Sequence, residues 1–591
     1  MTRKAVKFTP EVLLSAPRRS AGVPNPQGTK VLYTTSTYDF TTHAKTIELR
    51  VLDVKSNESH VLAKDDEVSD FNWLDEDNFA CLQAEKDGST SIYVASVSKC
   101  LEKVELGTSH YVAGKIDAGA SDLKLCSLGL DGKDGFAFVF TASACPDGSL
   151  YTTEKAKKKT HSTGRLYKSL YVRHWDHYVE PQRNSLWYGK LATDNHGKYG
   201  ISGLTNALKG TDLQCPIPPF GGGDCFDLCF DKVIFVAKDP AVNPALNTKC
   251  NVYLIGINSW TSEKNDAAHI RQLNTPGADG AASSPVLNSS GGQAAWLQMA
   301  KNGYEADRNQ VFVADTVGRS LAKDTTVSGL LLQVRSGNRA EPGESHWDHS
   351  PQSLGWTADG KNLLAVAEEN GYGRLFHLGV DVGTEVVYPD RLTDTGVVGD
   401  FRVLQNGQVF VSSSTLVDNS RYSIIDNPVR GKKATVAWGN SDSSSGGKFG
   451  LKSSQVCSIW TPASNPAINK EVHSWVMKPS HFDPSKKYPV AYLIHGGPQG
   501  SWADSWSTRW NPAVFAEQGY IVVCPNPTGS TGYGQAFTDA IRENWGGDPY
   551  EDIVTCFQWV DDHMPEADND RAVALGASYG GYMVSFSPLE Q

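Results

Sequence analysis

The sequence predicts a repeated antiparallel β domain over the first two thirds of the chain, followed by a mostly parallel, doubly wound α/β domain. Three observations carry this prediction. A unit made of a glycine-containing polar turn and an apolar strand recurs before residue 415. A continuous apolar run, Tyr488 to Ile494, is typical of a strand buried on both faces. Near the end, a serine lies between glycines directly after a further apolar run, in Gly576-Ala577-Ser578-Tyr579-Gly580.

The first domain is predicted from the recurring unit. It appears seven times, at spacings of about 50 to 100 residues, in the segments 25–35, 74–84, 131–142, 230–238, 288–299, 357–369 and 405–414. Helical periodicity is scarce from about residue 20 to 450, so these segments indicate strands. We favour a seven-bladed β-propeller over a pair of irregularly spaced β-sandwiches, because the units resemble each other in register.

The domain boundaries follow from changes in pattern. Residues 1–19 form a helical segment in which Thr9 serves as N-cap, with Pro10 at the first helical position and Glu11 in the first turn. Residues 20–440 form the β-propeller, and the polar stretch Ser441–Gly447 joins it to a partial α/β-hydrolase domain at 441–591. In that domain, strands at Tyr488–Ile494 and Tyr520–Cys524 alternate with helical segments.

Composition excludes several classes of protein. The net charge of −11 and the pI near 5.8 argue against a nucleic-acid partner. No window of 18 apolar residues indicates a membrane span, and no signal peptide precedes residue 20, so we expect a cytoplasmic protein, with secretion as the alternative. Eleven cysteines without a CxxC pair predict neither a metal site nor a redox motif, and no cofactor is expected.

The segment Arg165–Leu191 is rich in aromatic and charged residues. Arg173, His174, Trp175, Asp176, His177 and Glu180 would suit a loop that faces a ligand. A hairpin between blades, packed by Trp175 and Trp187, is an equally good interpretation, and the sequence does not choose between them. Two histidines three residues apart, without a third ligand type nearby, do not predict a metal site.

The G-x-S-x-G pentapeptide predicts a nucleophile elbow, the strained strand-to-helix turn of α/β-hydrolases. Gly576, Gly580 and Gly581 would leave room around the apex, where Ser578 is raised above the sheet. In this geometry Ser578 is the candidate nucleophile. The backbone N–H of Tyr579 points to the position at which a tetrahedral oxyanion forms, so it is a candidate oxyanion donor.

The usual catalytic partners of such a serine are not evident. In α/β-hydrolases the acid and the histidine follow the serine along the chain, but only 13 residues follow Ser578, without Asp or His. His563 and the nearby aspartates precede the elbow strand, toward the other end of the sheet. We therefore expect a sheet incomplete at the C-terminus and a truncated version of a full enzyme, with impaired catalysis.

With HGGPQG (495–500), NPTGSTGYG (526–534), Trp545-Gly546 and GASYGGYM (576–583), the chain resembles the prolyl oligopeptidase family of serine peptidases, in particular its fungal dipeptidyl-peptidases. The resemblance implies a seven-bladed propeller capping an α/β-hydrolase domain and cleavage of short peptides. It implies that Ser578 is the nucleophile and that the Tyr579 N–H is one oxyanion donor.

Three further site residues depend on this resemblance. Relatives often have a tyrosine as the second oxyanion donor, where this chain has His495; a ring nitrogen or a nearby backbone N–H could donate instead. Thr528 replaces an arginine, which puts the anchoring of its loop in doubt. Glu305 and Asp307 are candidates for binding a substrate's free N-terminus, although a salt bridge with Arg308 is an alternative role.

Three functions fit the sequence. The first is a serine peptidase that releases N-terminal dipeptides from short peptides, with no nucleic-acid or membrane partner. The second is an acylaminoacyl-peptidase or esterase of the same architecture, which accepts blocked N-termini. The third is a non-catalytic propeller that binds peptides, which gains support from the absent base.

Overall fold

The computed structural model of the chain describes residues 8–64, 68–102, 110–129, 134–158, 162–168, 170–262, 270–273, 275, 277–316, 330–332, 347–380, 388–441 and 447–586. Most of the predicted linker Ser441–Gly447 lies outside these residues. So do the first three residues of the predicted unit 131–142.

Strands dominate the chain as far as Ser441, and we call this region the β-sheet part. The first sheet contains β1–β5, at Arg18–Arg19, Val23–Pro24, Lys30–Asp39, Ala44–Asp53 and Ser59–Lys64. The second contains β6–β9, at Val68–Trp73, Asn78–Ala84, Thr90–Ser96 and His110–Ile116. The third contains β10, β11, β14 and β15, at Ala120–Ser127, Phe136–Ala144, Arg183–Thr193 and Tyr199–Asn206, with the separate hairpin β12–β13 at Arg173–His174 and His177–Tyr178.

The remaining sheets of this part continue in the same manner. The fourth contains β16–β19, at Phe226–Cys229, Lys232–Lys238, Cys250–Gly256 and Ile270–Leu273. The fifth contains β20–β23, at Ala282–Leu287, Gln293–Met299, Asn309–Asp315 and Leu330–Leu332. An eight-stranded sheet contains β24–β31, at Pro351–Trp356, Asn362–Glu369, Tyr372–Gly379, Asp390–Arg391, Val397–Val403, Val409–Ser414, Arg421–Ile425 and Val436–Ser441.

The eight-stranded sheet consists of two groups, β24–β27 and β28–β31. A single parallel pair, Gly373 with Val397, joins them, whereas the other pairings in both groups are antiparallel. Apart from the separate hairpin β12–β13, the described residues of the β-sheet part therefore contain seven groups of four or five strands. Each of the seven recurring units predicted from the sequence contributes the second strand, in sheet order, of a different group: β3, β7, β11, β17, β21, β25 and β29.

The first and last groups pack against each other. Val31 and Leu52 of the first group share a buried cluster with Phe410 and Tyr422 of the last. The Tyr422 hydroxyl also donates a hydrogen bond to the Ser20 carbonyl, at 2.6 Å. One cavity of about 900 Å³ is bordered by all seven groups, through residues that include Thr34, Asn72, Lys124, Asp227, Ser284, Ser353 and Arg402.

The α/β part, residues 456–586, is built on one five-stranded sheet. Its strands are β32–β36, at Val456–Pro462, Glu471–Met477, Tyr488–Ile494, Ile521–Pro525 and Ala567–Gly576. The order is β32-β33-β35-β34-β36, in which β34 runs parallel to both β35 and β36. The three strands predicted from the sequence are present, with β34 and β35 buried and β36 half exposed at the edge of the sheet. In addition, β32 and β33 form an antiparallel hairpin that the apolar pattern did not reveal.

The described helices have five or six residues, except for two longer ones in the α/β part. They are α1–α7, at Pro10–Ser15, Val97–Glu102, Thr153–Lys157, Pro512–Ala516, Gln535–Asp539, Asp548–His563 and Tyr579–Phe586. The predicted cap of α1 is confirmed, because Thr9 Oγ1 accepts a hydrogen bond from the Val12 N–H at 3.3 Å. No helix among the described residues is long and apolar enough to cross a bilayer.

The two parts meet along one face of the β-sheet part. On the side of the β-sheet part, the contacts come from loops between the second and third strands of the fifth, sixth and seventh groups. Further contacts come from segments that immediately precede the first strand of a group. Asp504 accepts hydrogen bonds from the backbone N–H groups of Gly396 and Leu416, both at 2.9 Å. The Asn370 N–H donates to the Gly532 carbonyl at 2.9 Å. Loops from the β-sheet part therefore reach the glycine-rich loops of the α/β part.

Candidate active site

The nucleophile elbow predicted at Ser578 has the expected local structure. Strand β36 ends at Gly576, helix α7 begins at Tyr579, and Ser578 between them has φ 56°. A non-glycine residue in this left-handed region is uncommon and holds local strain, which the surrounding packing must maintain. The side chain of Ser578 is exposed at the carboxyl end of a parallel strand, where α/β sheets place their chemistry.

Two of the flanking glycines are required by close backbone contacts. A β-carbon on Gly576 would lie 2.4 Å from the Gly580 carbonyl, and one on Gly580 would lie 2.2 Å from the Ile494 carbonyl oxygen. Gly581 differs, since a β-carbon there would meet only the Gly576 carbonyl oxygen, at 3.6 Å. The elbow therefore depends on Gly576 and Gly580, which let β36, α7 and the end of β34 come together.

The loop His495–Gly500 passes beside the serine. A β-carbon on Gly496 would lie 3.5 Å from the Ser578 β-carbon. Within the described residues, Ser578 Oγ has no hydrogen-bond partner. The structure thus brings Ser578 next to the HGGPQG loop but does not bring a histidine into hydrogen-bond contact with its hydroxyl.

Tyr579 is held firmly by its side chain. The ring is 3% exposed and packs edge-on against Trp545, and its hydroxyl donates to the Trp545 carbonyl at 2.8 Å. Because Tyr579 is the first residue of α7, its N–H has no acceptor within the helix. An N–H at this position, at the positive end of the helix dipole, suits the oxyanion role predicted for it.

His495 is buried beneath the loop. Its Nδ1 lies 2.8 Å from the Gly496 carbonyl oxygen, and its Nε2 lies 2.9 Å from Ser530 Oγ. Burial lowers the pKa of His495, which favours the neutral ring. Since a carbonyl can only accept, Nδ1–H donates to the Gly496 carbonyl. Ser530 Oγ lies 2.6 Å from the Pro527 carbonyl oxygen as well, so that carbonyl and His495 Nε2 share the single proton of this hydroxyl. Both ring nitrogens are therefore engaged, which favours the alternative in which a backbone N–H of this loop is the second oxyanion donor.

Thr528 anchors the neighbouring loop, despite replacing the family's arginine. Its backbone N–H and its hydroxyl both donate to Asp552 Oδ2, at 2.8 and 2.6 Å. The other oxygen of Asp552 accepts from the Ser464 N–H at 2.8 Å. Asp552 is fully buried in α6, so the loop NPTGSTGYG is tied to the helix that precedes the elbow strand.

A second buried histidine supports the same loop. His473 on β33 is 2% exposed, and its Nδ1 lies 2.6 Å from the Tyr533 hydroxyl oxygen. Burial lowers the pKa of His473 from its ordinary value of 6.5 to about 4. The folded protein therefore binds fewer protons at this residue than the unfolded chain does between these two pH values.

We expect the stability of the α/β part to depend on His473 below neutral pH. The neutral His473 ring contributes its full stabilisation above pH 6.5. This contribution is lost progressively as the pH falls to about 4, by up to about 3 kcal/mol. Urea unfolding at pH 7 and pH 5 checks this: His473→Gln should reduce the difference between the two pH values. The exposed His481→Gln is the control, and an unchanged difference in His473→Gln would contradict the assignment.

A cavity of about 230 Å³ lies between the β-sheet part and the α/β part. Its lining includes Glu305, Asp307 and Glu368 from the β-sheet part, and Gln499 and Gln535 from the α/β part. Both predicted N-terminus-binding carboxylates therefore border it. Gln499 belongs to the loop beside Ser578, so this loop connects the cavity with the elbow.

The carboxylates of this cavity differ in what they already bind. Asp307 accepts hydrogen bonds from the backbone N–H groups of Lys301 and Arg308, at 2.8 and 3.0 Å. Arg308 pairs with Asp348 at 2.8 Å, and the described residues contain no ion pair between Arg308 and Glu305 or Asp307. Glu305 is exposed, and neither it nor Glu368 has an ion-pair partner within the described part of the chain.

Sequence reasoning missed several residues at this interface. Tyr304, Glu368, Gln499 and Asp539 carried no motif of their own, although Gln499 lies inside HGGPQG and Tyr304 opens YEADR. The Tyr304 hydroxyl donates to Asp539 Oδ1 at 2.5 Å, across 235 residues of sequence. Their positions within these motifs could have drawn attention to Gln499 and Tyr304, whereas no sequence signal marked Asp539.

The aromatic segment Arg165–Leu191 contains elements of both interpretations. It forms the exposed hairpin β12–β13 and then enters β14, where Trp187 is buried. Trp175, however, is 76% exposed and does not pack the hairpin. His174, His177 and Glu180 border a separate cavity of about 900 Å³, between the third and fourth groups.

Comparisons with known proteins relate the whole chain to peptidases. A family model described as the prolyl oligopeptidase family matches residues 506–588. The chain is 36% identical to a probable dipeptidyl-peptidase 5 of Aspergillus clavatus, over 98% of this chain and 77% of that protein. It is also 36% identical to dipeptidyl-peptidase 5 of Aspergillus fumigatus, over 99% of this chain and 78% of that protein.

Solved structures show the same fold at low sequence identity. An acylaminoacyl peptidase of Pyrococcus horikoshii matches with a TM-score of 0.66 and 13% identity, over 99% of this chain and 77% of that one. A puromycin-hydrolyzing peptidase of Mycobacterium tuberculosis matches with a TM-score of 0.54 and 14% identity, over 98% of this chain and 77% of that one. At these identities the similarity establishes the fold alone.

Proposed function

Because the chain belongs to the prolyl oligopeptidase family of serine peptidases, we propose that its site takes short peptides with a free N-terminus and releases N-terminal dipeptides. One observation carries this proposal. Ser578 is exposed at the apex of a glycine-flanked elbow, beside a loop that also borders the cavity containing Glu305. The names of the fungal relatives support the dipeptidyl specificity.

The chemistry of the elbow is acyl transfer. Ser578 Oγ attacks the carbonyl carbon of the second residue of the peptide, and the hydroxyl proton passes to a base. The oxyanion accepts hydrogen bonds from the Tyr579 N–H and from a backbone N–H of the loop His495–Gly500. Collapse of the intermediate breaks the C–N bond and releases the protonated amine, after which water hydrolyses the dipeptidyl ester and restores the serine hydroxyl.

We propose that the 591-residue chain alone performs this reaction slowly. A serine hydroxyl is a weak nucleophile unless a histidine accepts its proton and an acid orients that histidine. Within the described residues, neither His495 nor His563 contacts Ser578. His495 is bound to Gly496 and Ser530, and His563 Nδ1 lies 3.0 Å from the Trp559 carbonyl oxygen.

We further propose that Glu305 binds the substrate's N-terminal ammonium group. A buried ammonium needs a counter-charge, and Glu305 is a carboxylate of the cavity wall with no ion pair in the described chain. Asp307 adds negative potential beside it, but its oxygens already brace the loop Lys301–Arg308.

For the β-sheet part we propose a closed seven-bladed propeller over residues 20–440, between a helical segment at 1–19 and the α/β-hydrolase domain at 441–591. Packing of the first group against the last supports closure, as does the single cavity bordered by all seven groups. A closed ring would limit access to Ser578 to peptides small enough to enter between the two parts.

The specificity is tested by measuring binding to the Ser578→Ala chain. We expect a dipeptide amide with a free N-terminus to bind at least about tenfold more tightly than its acetylated form, because a charge-assisted hydrogen bond is lost on acetylation. Glu305→Gln should reduce this preference, whereas Glu58→Gln, at an exposed turn of the first sheet, should not. Tighter binding of the acetylated peptide would instead indicate an acylaminoacyl-peptidase.

A further inference from the structure

The side-chain amide of Gln499 has a fixed orientation. Its Nε2 lies 2.9 Å from the Tyr304 hydroxyl oxygen and 3.4 Å from the Thr538 carbonyl oxygen. Both acceptors lie outside the HGGPQG loop that contains Gln499. The two N–H groups of the amide therefore bind within the protein, and Oε1 is the polar atom of this side chain that has no partner among the described residues.

The direction of each hydrogen bond follows from its acceptor. The carboxylate of Asp539 only accepts, so the single hydroxyl proton of Tyr304 goes to Asp539 Oδ1, at 2.5 Å. Tyr304 Oη then accepts from Gln499, which requires that Nε2, and not Oε1, faces the tyrosine. Burial and the bond to Asp539 raise the pKa of Tyr304 to about 12, so the hydroxyl keeps its proton at physiological pH.

Tyr304 itself is held by its neighbours. The Arg542 guanidinium lies 4.6 Å from the centre of the tyrosine ring. Asp539 Oδ1 also accepts from Gln535 Nε2 at 2.8 Å, and the same Nε2 donates to the Ala306 carbonyl at 2.9 Å. Tyr304 and Ala306 belong to the β-sheet part, so this network fixes Gln499 from across the junction between the two parts.

Three groups that line the cavity, two from the β-sheet part and one from the α/β part, share one chemical character. Glu305 and Glu368 offer carboxylate oxygens, and Gln499, which also borders this cavity, offers a carbonyl oxygen. All three are acceptors. A protonated amino group has three donors and satisfies such a set, whereas an acetylated terminus adds a carbonyl oxygen that these acceptors repel.

We infer that Gln499 is a specificity-determining residue, whose Oε1 accepts a hydrogen bond from the α-ammonium group of the peptide. Tyr304 is a positioning residue that keeps Oε1 turned toward the cavity. This inference rests on the proposed dipeptidyl specificity. It adds an uncharged acceptor from the α/β part to the carboxylates of the β-sheet part, so that the N-terminus is bound by both parts.

The test compares dissociation constants for a dipeptide amide and its acetylated form, measured by calorimetry on Ser578→Ala chains. Gln499→Leu should lower the preference for the free terminus roughly tenfold, and Tyr304→Phe roughly threefold, without weakening binding of the acetylated form. Matched controls are Gln408→Leu and Tyr33→Phe, which remove hydrogen-bonded groups at Asp426 and Ser59. These controls should leave the preference unchanged.

The outcomes separate the inference from the function on which it rests. If the parent shows no preference for the free terminus, the dipeptidyl specificity is wrong, and the role of Gln499 is overturned with it. If the parent shows the preference and Gln499→Leu retains it, only the inference is overturned. Equal weakening of both peptides in Gln499→Leu would indicate a structural role and would likewise overturn it.

Discussion

Turnover of dipeptidyl p-nitroanilides by the 591-residue chain is expected to be at least about 10⁴-fold slower than turnover by a relative whose serine, histidine and aspartate are in hydrogen-bond contact. The reason is that no histidine among the residues described by the structure is in hydrogen-bond contact with the Ser578 hydroxyl. His495 is buried and bound through both ring nitrogens. His563 ends α6, before the ten-residue strand β36, so roughly 30 Å of strand separates it from the elbow.

The expected result is checked by steady-state assay of the parent chain and of Ser578→Ala. Both should give similarly low rates, because removing an unactivated hydroxyl costs little. Parent turnover within tenfold of that of a relative with a complete triad, abolished by Ser578→Ala, would show that a base reaches the serine. The proposal of a slow chain would then be wrong.

Replacing Asp552 by alanine is expected to lower the free energy of unfolding of the α/β part by about 3 to 5 kcal/mol. The carboxylate is fully buried and accepts three hydrogen bonds, from the Thr528 N–H, the Thr528 hydroxyl and the Ser464 N–H. Alanine would leave these donors without an acceptor and would leave a cavity within α6.

Urea unfolding of Asp552→Ala measures this effect, with Asp562→Ala on the exposed side of the same helix as the control. The control should change stability by no more than about 0.5 kcal/mol. A loss below about 1 kcal/mol in Asp552→Ala would mean that the loop at Thr528 is anchored by other contacts.

The elbow and the recurring strands could be predicted because each is determined by a short stretch of consecutive residues. G-x-S-x-G after an apolar run specified the turn at Ser578, which the structure confirms with a positive φ at that residue. The polar turn and apolar strand of each recurring unit likewise located the second strand of each group. In both cases, neighbouring residues determine the backbone conformation.

The rest of the site depends on pairs that are distant in the sequence. Tyr304 meets Asp539 and Gln499 only because a loop of the β-sheet part docks on the α/β part. Thr528 meets Asp552 because the loop after β35 packs on α6. No periodicity relates such residues, so composition and spacing did not reveal them. The strands β32 and β33 were missed for a related reason, since half-exposed β32 lacks a continuous apolar run.

The central claim is that the side chain at position 578 faces a site that binds dipeptides. Alkylation of the Ser578→Cys chain by a dipeptidyl chloromethyl ketone tests it most directly, because a thiol reacts without a neighbouring base. Mass spectrometry identifies the modified position, and Ser585→Cys, at an exposed position of α7, the helix that follows the elbow, is the control.

We predict saturable labelling at position 578, faster than in Ser585→Cys, and slowed by a dipeptide amide with a free N-terminus. Labelling that increases linearly with reagent concentration, matches the Ser585→Cys rate and is indifferent to the dipeptide amide would contradict the claim.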